Sequence, residues 1–221
     1  MTRGRWRSAT DGDTAMYVRM NTISGDQDKV AAVVDFIEGR DRPMVEAAVG
    51  NGGLVTFVDV DGGIIVAASY WVDPVRSSEA ALTDVRRGAE LIAGGMVIAD
   101  SYEVRALVRR SAAKRGAAVR LDRVQLESAS LEDAVAFLGE VLLAELTRCE
   151  GLCAAEILVD AGSSSAIVFT VWDSNQAAED ARPAVEALCD RAADHGAKFV
   201  SVERYTLMGV SPQPALSPSS G

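Results

Sequence analysis

The chain contains itself twice. Val18-Arg19-Met20-Asn21 returns as Val119-Arg120-Leu121-Asp122, and Ser69-Tyr70-Trp71 returns as Thr170-Val171-Trp172, in both cases 101 residues later. Phe36 and Phe137 keep the same spacing, so one shift aligns a strand, a helix and another strand without a gap. A chain of 221 residues built this way folds as two like units of roughly 100 residues each, a common domain size.

Each unit reads as β-α-β-β-α-β. In the first, a strand from Tyr17 to Thr22 leads through Ser24-Gly25-Asp26 to a helix whose inner face carries Val30, Val33, Val34 and Ile37. Gly50-Asn51-Gly52-Gly53 stops that helix, and a hairpin follows: Leu54 to Val60, the turn Asp61-Gly62-Gly63, then Ile64 to Trp71. Asp73-Pro74 opens a second helix, Gly94-Gly95 ends it, and Tyr102 to Val108 is the last strand. The second unit repeats the order with a strand at Ala118 to Leu126 and a helix from Leu131 to Cys149. A hairpin turning at Ala161-Gly162-Ser163, a helix from Gln176 to His195 and a strand from Phe199 to Leu207 complete it. The expected organisation is a flexible arm over 1–15, units over 16–110 and 118–208, a linker over 111–117, and a disordered Pro/Ser-rich tail over 209–221.

The linker is short and basic, too short for a floppy spacer, so the units should pack together. A β-α-β-β-α-β unit has both helices on one sheet face and leaves the other face and two edges uncovered. Val18, Met20, Ile64, Val66 and Ala68, with Val119, Leu121, Ile167 and Phe169 in the second unit, supply the apolar residues for that second face. Pressing the sheets together solves both problems.

With its duplicated units and the tryptophans closing the third strands, Ser-Tyr-Trp71-Val-Asp-Pro and Thr-Val-Trp172-Asp-Ser, the chain resembles the dimeric α/β-barrel superfamily, and within it antibiotic-biosynthesis-monooxygenase-like domains. The resemblance implies an α+β fold in which two ferredoxin-like units pack sheet to sheet, here as a pseudo-dimer within one polypeptide. Such a chain is a monomer or a homodimer of the pseudo-dimer. It also implies a monooxygenase-like protein that binds a small hydrophobic or aromatic molecule, with cofactor-independent oxygenation as its chemistry and no cofactor. By the resemblance, Asn21 hydrogen-bonds a phenolate or carbonyl and Trp71 orients the ring, as the catalytic candidates. Haem-degrading relatives use a helix histidine as iron ligand, and Val75 to Leu91 contains none. The rival reading is a non-catalytic ligand-binding or stress-associated scaffold of the same fold.

Strand alternation adds ligand-binding candidates. Ser69 and Trp71 share a face, as do Thr170 and Trp172, and on the neighbouring first strands Arg19 and Asn21, or Arg120 and Asp122, point together. Quieter readings exist for all of them. A large aromatic at a strand end commonly plugs the gap between sheet and helix. Arg19 with Glu103, and Arg120 with Glu203, would make a duplicated cross-strand ion pair. Asp122 could instead pair with Arg120 or Arg123. The change of Asn21 to Asp122 turns an amide into an acceptor-only carboxylate, so the two halves cannot share one chemistry, and the first is the better candidate.

Other chemistries fit poorly. With 22 basic and 32 acidic residues the net charge is −10, which repels nucleic acid and anionic bilayers; Arg3, Arg5 and Arg7 are too few to reverse it. No run approaches the roughly 18 apolar residues of a membrane span, and three cysteines form no secretory framework, so a cytoplasmic protein is expected. Cys149 and Cys153 lack further ligands at metal-site spacing, so no metal is expected. The single histidine, His195, belongs to a helix end, and no Gly-x-Ser-x-Gly elbow exists for a hydrolytic triad. Asp59-Val-Asp61-Gly62 is better explained by a hairpin than by a calcium loop, which would need a glutamate where Tyr70 stands.

Overall fold

A computed structural model describes residues 7–8, 15–73, 80–160 and 162–211. The first half comprises β1 (Arg7–Ser8), β2 (Tyr17–Ser24), α1 (Val30–Phe36), a π-helical turn (Ile37–Asp41), α2 (Arg42–Glu46), β3 (Asn51–Asp59), β4 (Ile64–Trp71), α3 (Ala80–Ala93) and β5 (Met96–Arg109). The second comprises β6 (Ala118–Leu126), α4 (Leu131–Ala136), a π-helical turn (Phe137–Leu142), α5 (Leu143–Leu146), β7 (Leu152–Asp160), β8 (Ser165–Trp172), α6 (Asn175–Asp180), α7 (Arg182–Ala193) and β9 (Ala197–Val210).

One antiparallel sheet runs β5-β2-β4-β3-β9-β6-β8-β7 and closes on itself through β5 and β7, with β1 added beside β5. Each half has the ferredoxin-like order fourth-first-third-second strand, and the last strand of each half pairs with the second strand of the other. This is the expected α+β architecture of two facing ferredoxin-like units. The exchange of strands leaves no sheet edge at the junction, which is how a barrel disposes of unpaired backbone groups.

The fourth strands start earlier than expected, at Met96 and Ala197 instead of Tyr102 and Phe199. Their first halves pair on one side only, with β2 or β6, so Met96, Ile98 and Val200 stay exposed and the inside-outside alternation that marks a strand is blurred. The helix expected from Gln176 to His195 is two, because Pro183, in the first turn of α7, has no backbone N–H to continue α6. Ser174 caps α6 by accepting from the Ala177 N–H at 3.2 Å.

At the ends, Arg7–Ser8 of the expected arm pairs with Leu107 and Ala106. β9 continues to Val210, two residues past the expected start of the tail, and Ser211 is buried: its Oγ accepts from the Leu54 N–H at 2.6 Å and from Arg42 Nη1 at 2.9 Å. The remainder of arm and tail lies outside the described residues, as does the Pro74 start of the second helix.

Three cores result. One fills the barrel between the two halves and contains the residues proposed from alternation for the second sheet face, including Val18, Met20, Val119, Leu121 and Phe169, except Ile64, which is half-buried against it. The others lie under the helices of each half. At the barrel centre Phe57, fully buried, meets Phe169 with ring centroids 5.6 Å apart and Tyr205 edge-on at 5.1 Å. Because this ring joins the halves, Phe57→Ala should cost about 3–5 kcal/mol. Urea unfolding followed by fluorescence should show that loss in one shared transition, not two.

Candidate functional site between sheet and helices

Strands β2 and β4 are neighbours with Arg19 opposite Ser69 and Asn21 opposite Ala67, and β6 and β8 repeat this with Arg120 opposite Thr170 and Asp122 opposite Val168. The sequence-derived candidates therefore converge, half by half, on the sheet face under the helices.

The tryptophans do the same thing twice. Trp71 Nε1–H donates to Ser69 Oγ at 2.8 Å, and Ser69 donates to the Arg19 carbonyl at 3.3 Å. Trp172 Nε1–H donates to Thr170 Oγ1 at 2.9 Å, and Thr170 to the Arg120 carbonyl at 3.4 Å. Both indoles are 1% exposed, and Trp71 packs on Val45, Ala48 and Val85. A buried indole needs a partner for its N–H, and a hydroxyl two residues back on the same strand face provides it. Trp71 thus touches Ser69 but does not line the neighbouring cavity.

What differs is the polar inventory beside these pairs. In the first half a cavity of about 40 Å³ is lined by Asn21, Asp41, Ser69 and Arg86 together with aliphatic residues such as Ile37 and Val85. Among the described residues Asn21 Oδ1, Asp41 Oδ2 and Arg19 Nε are buried without a hydrogen-bond partner. A buried polar atom left unpaired costs about 1–3 kcal/mol, so such a cluster calls for an explanation. In the second half Arg120 grips Asp122 with two bonds, 2.7 and 2.6 Å, and only about 10 Å³ remains empty. Leu142 stands there at the repeat position of Asp41.

Asp41 is the residue that sequence reading missed. It is 2% exposed, and burial pushes its pKa up to about 6 against the lowering effect of Arg40. Its position follows from the π-helical turn: Ile37, Asp41 and Val45 all face inward, a four-residue spacing that a wider turn keeps in line. Extending the inner-face series Val30, Val33, Val34, Ile37 by one more step would have pointed to it. At the other side, burial and the nearby charge of Arg19 lower the pKa of Arg86.

The expected cross-strand ion pairs do not form. Register places Glu103 opposite Tyr17 and Ser101 opposite Arg19, so Arg19 Nη1 donates to Ser101 Oγ at 2.8 Å. Glu203 lies opposite Leu121 and is held by Arg123 and by the Tyr205 hydroxyl, the latter at 2.6 Å, while Arg120 turns to Asp122 on its own strand. His195 sits past the end of α7, its Nδ1 3.0 Å from Asp133 Oδ2 and its ring stacked on Phe137, and it lines neither cavity. All three cysteines are free, and burial raises the pKa of Cys149 and, to about 11, that of Cys189.

No protein-family model matches the chain. An uncharacterised protein of Mycobacterium tuberculosis is 24% identical over 175 residues, 78% of each chain. Among solved structures, a candidate monooxygenase of Fusobacterium nucleatum superposes with a TM-score of 0.69 at 12% identity, covering 89% of this chain and 94% of its own. One from Lactobacillus acidophilus gives 0.65 at 11%, covering 89% and 96%. An anthrone oxidase-like protein gives 0.64 at 16%, covering 94% and 96%. The chain has the ferredoxin-like fold of these structures, duplicated to form a barrel within one polypeptide; at these identities the likeness is one of fold. No helix among the described residues is long and apolar enough to cross a membrane.

The unpaired Asp41 makes a stability prediction with a defined sign. Its folded pKa of about 6 lies above the ordinary 3.8, so the folded state holds a proton that the unfolded state has released between those values. Stability attributable to Asp41 therefore falls as pH rises from about 4 to 6 and stays reduced above that. Asp41→Asn should gain about 1–3 kcal/mol at pH 7 relative to the parent, and the gain should vanish towards pH 4 in paired thermal melts. By contrast Asp122→Ala, which strands a buried guanidinium, should cost about 3 kcal/mol at pH 7.

Proposed function

We propose that this is a monooxygenase-like protein whose first half binds a small, flat, oxygen-bearing aromatic molecule beneath its helices. The observation that carries the reading is the contrast between the halves: the second closes its cavity with a self-neutralising Arg120–Asp122 pair, whereas the first keeps buried polar atoms of Asn21 and Asp41 open around a void, with Arg19 Nε unpaired on the same strand as Asn21. Groups held in this unsatisfied state gain their hydrogen bonds when a ligand supplies them.

The roles follow from the open atoms. Asn21 Oδ1 accepts from a ring hydroxyl. Asp41, with a pKa of about 6, is suited to take a proton from an activated ring carbon at neutral pH. The enolate then reacts with dioxygen, so that a ring CH₂ becomes C=O and one water leaves, without a bound cofactor. Fold likeness to an anthrone oxidase-like protein supports a fused-ring substrate of this type. Trp71 acts through Ser69 as a positioning residue, and Ser69 faces the ligand. In the second half Asp122, Thr170 and Trp172 keep the structural version of the same arrangement.

A cavity of about 40 Å³ holds a few waters and not a ring, so entry requires α3, which contributes Arg86 and Ala89, to lift from the sheet. That small volume favours the second reading, a ligand-binding or scaffold protein without turnover. The experiment is native mass spectrometry against quinols, anthrones and flavins, followed by oxygen uptake for every binder. Oxygen consumption with an anthrone, lowered about 100-fold or more by Asp41→Asn and with binding weakened by Asn21→Leu, is the expected result. Binding without uptake selects the scaffold; activity indifferent to both substitutions removes the site.

A further inference from the structure

A cavity larger than the one under the first half's helices opens at one mouth of the barrel, where about 630 Å³ lies between the halves. Its floor holds a buried polar pair: Tyr70, 2% exposed, donates its hydroxyl proton to Glu156 Oε2 at 2.8 Å, and Glu156 is 3% exposed. Arg109 approaches from the rim as the ion-pair partner of Glu156, its Nη2 3.7 Å from Oε1. Arg110 lines the same rim, its Nη1 donating to the Cys149 carbonyl at 2.8 Å, and Lys114 and Arg115 follow in the linker.

The repeat shows that this polarity is one-sided. The positions 101 residues from Tyr70, Glu156 and Arg109 are Val171, Val55 and Val210, and all six line the one cavity. A barrel made from two identical chains would present the same residues twice around its axis. Here three polar side chains occupy one wall and three valines the other, joined by Phe169 and Leu207. That division is what an amphipathic guest requires: apolar wall for its body, charged wall for its head. In a chain of net charge −10, four cationic residues in seven, Arg109, Arg110, Lys114 and Arg115, set the sign of that head.

We propose that the barrel mouth is a second ligand site, specific for a small monocarboxylate with a compact apolar body. The carboxylate lies at the rim against Arg109, whose five-donor fork meets Glu156 in an ion pair at only 3.7 Å, and the body rests on Val55, Val171 and Phe169. The volume falls in the range of small-molecule sites, about 300–1,000 Å³. This site is on the opposite sheet face from Asn21, as the alternation of Ser69, Tyr70 and Trp71 dictates, so it stands independently of the oxygenase reading.

The test is titration of the full chain with 2-naphthoate and its neutral counterpart 2-naphthamide, read by calorimetry and ligand fluorescence. One naphthoate should bind per chain, about tenfold tighter than the amide, and Arg109→Gln should erase that preference. Val171→Trp, which fills the apolar wall, should abolish both, with Val210→Trp at the open rim as a second blocking variant should the first fail to fold. Asn21→Leu, in the other cavity, should change nothing. Absence of binding up to about 1 mM naphthoate overturns the proposal. So does binding that survives both tryptophan variants, or binding that Asn21→Leu removes.

Discussion

Everything in this molecule depends on two strand pairings that cross between its halves, β5 with β7 and β3 with β9. A lone ferredoxin-like sheet has one naked face and two naked edges, and each costs free energy in water or invites aggregation. By lending its last strand to the other half's second strand, each unit covers both deficits of its neighbour. The fourteen-residue length of β5 and β9 is what makes the loan possible, since the first part of each strand serves its own half and the remainder serves the other.

Covalent fusion then frees the halves from identity. In the second half, burying Arg120 against Asp122 satisfies both charges with good bidentate geometry and closes the cavity. In the first half the same strand offers Arg19 and Asn21, which cannot neutralise one another, and the facing helix adds a carboxylate. Asn21 in place of Asp122 on the strand, Asp41 in place of Leu142 on the facing helix, and Arg86 from α3 separate a sealed core from a polar void. Buried, unsatisfied groups lower stability, and natural proteins tolerate that where a site requires it. The barrel mouth shows the same divergence on the other sheet face, with Tyr70, Glu156 and Arg109 facing their valine counterparts.

The fold was legible because its signals are periodic and doubled: alternation in Val18–Met20 and Val66–Ala68, helix spacing from Val30 to Ile37, and a constant 101-residue shift all report backbone geometry directly. The convergence of Arg19, Asn21, Ser69 and Trp71 followed from the same alternation. Ion pairing did not, because it depends on register: a two-residue displacement puts Ser101 and not Glu103 across from Arg19. Asp41 escaped because a carboxylate interrupts an apolar series and reads as its end, and because nothing in a sequence marks a π-helical turn. The Tyr70–Glu156 contact spans the two halves, and only the closed barrel brings those residues together.

The wide turns in the two long helices, Ile37–Asp41 and Phe137–Leu142, sit at matching points of the repeat. Each amounts to one extra residue threaded into an otherwise ordinary spiral, and an α-helix advances 100° for every residue gained or lost. Excising a single amino acid from the first would swing Arg42 and everything after it around the axis by more than a quarter turn. The guanidinium that now fastens Glu38, the Leu54 carbonyl and Ser211 would be carried away from the end of β9, which it clasps through Ser211. Length in this segment is therefore a stricter requirement than composition, the reverse of what holds for a surface loop.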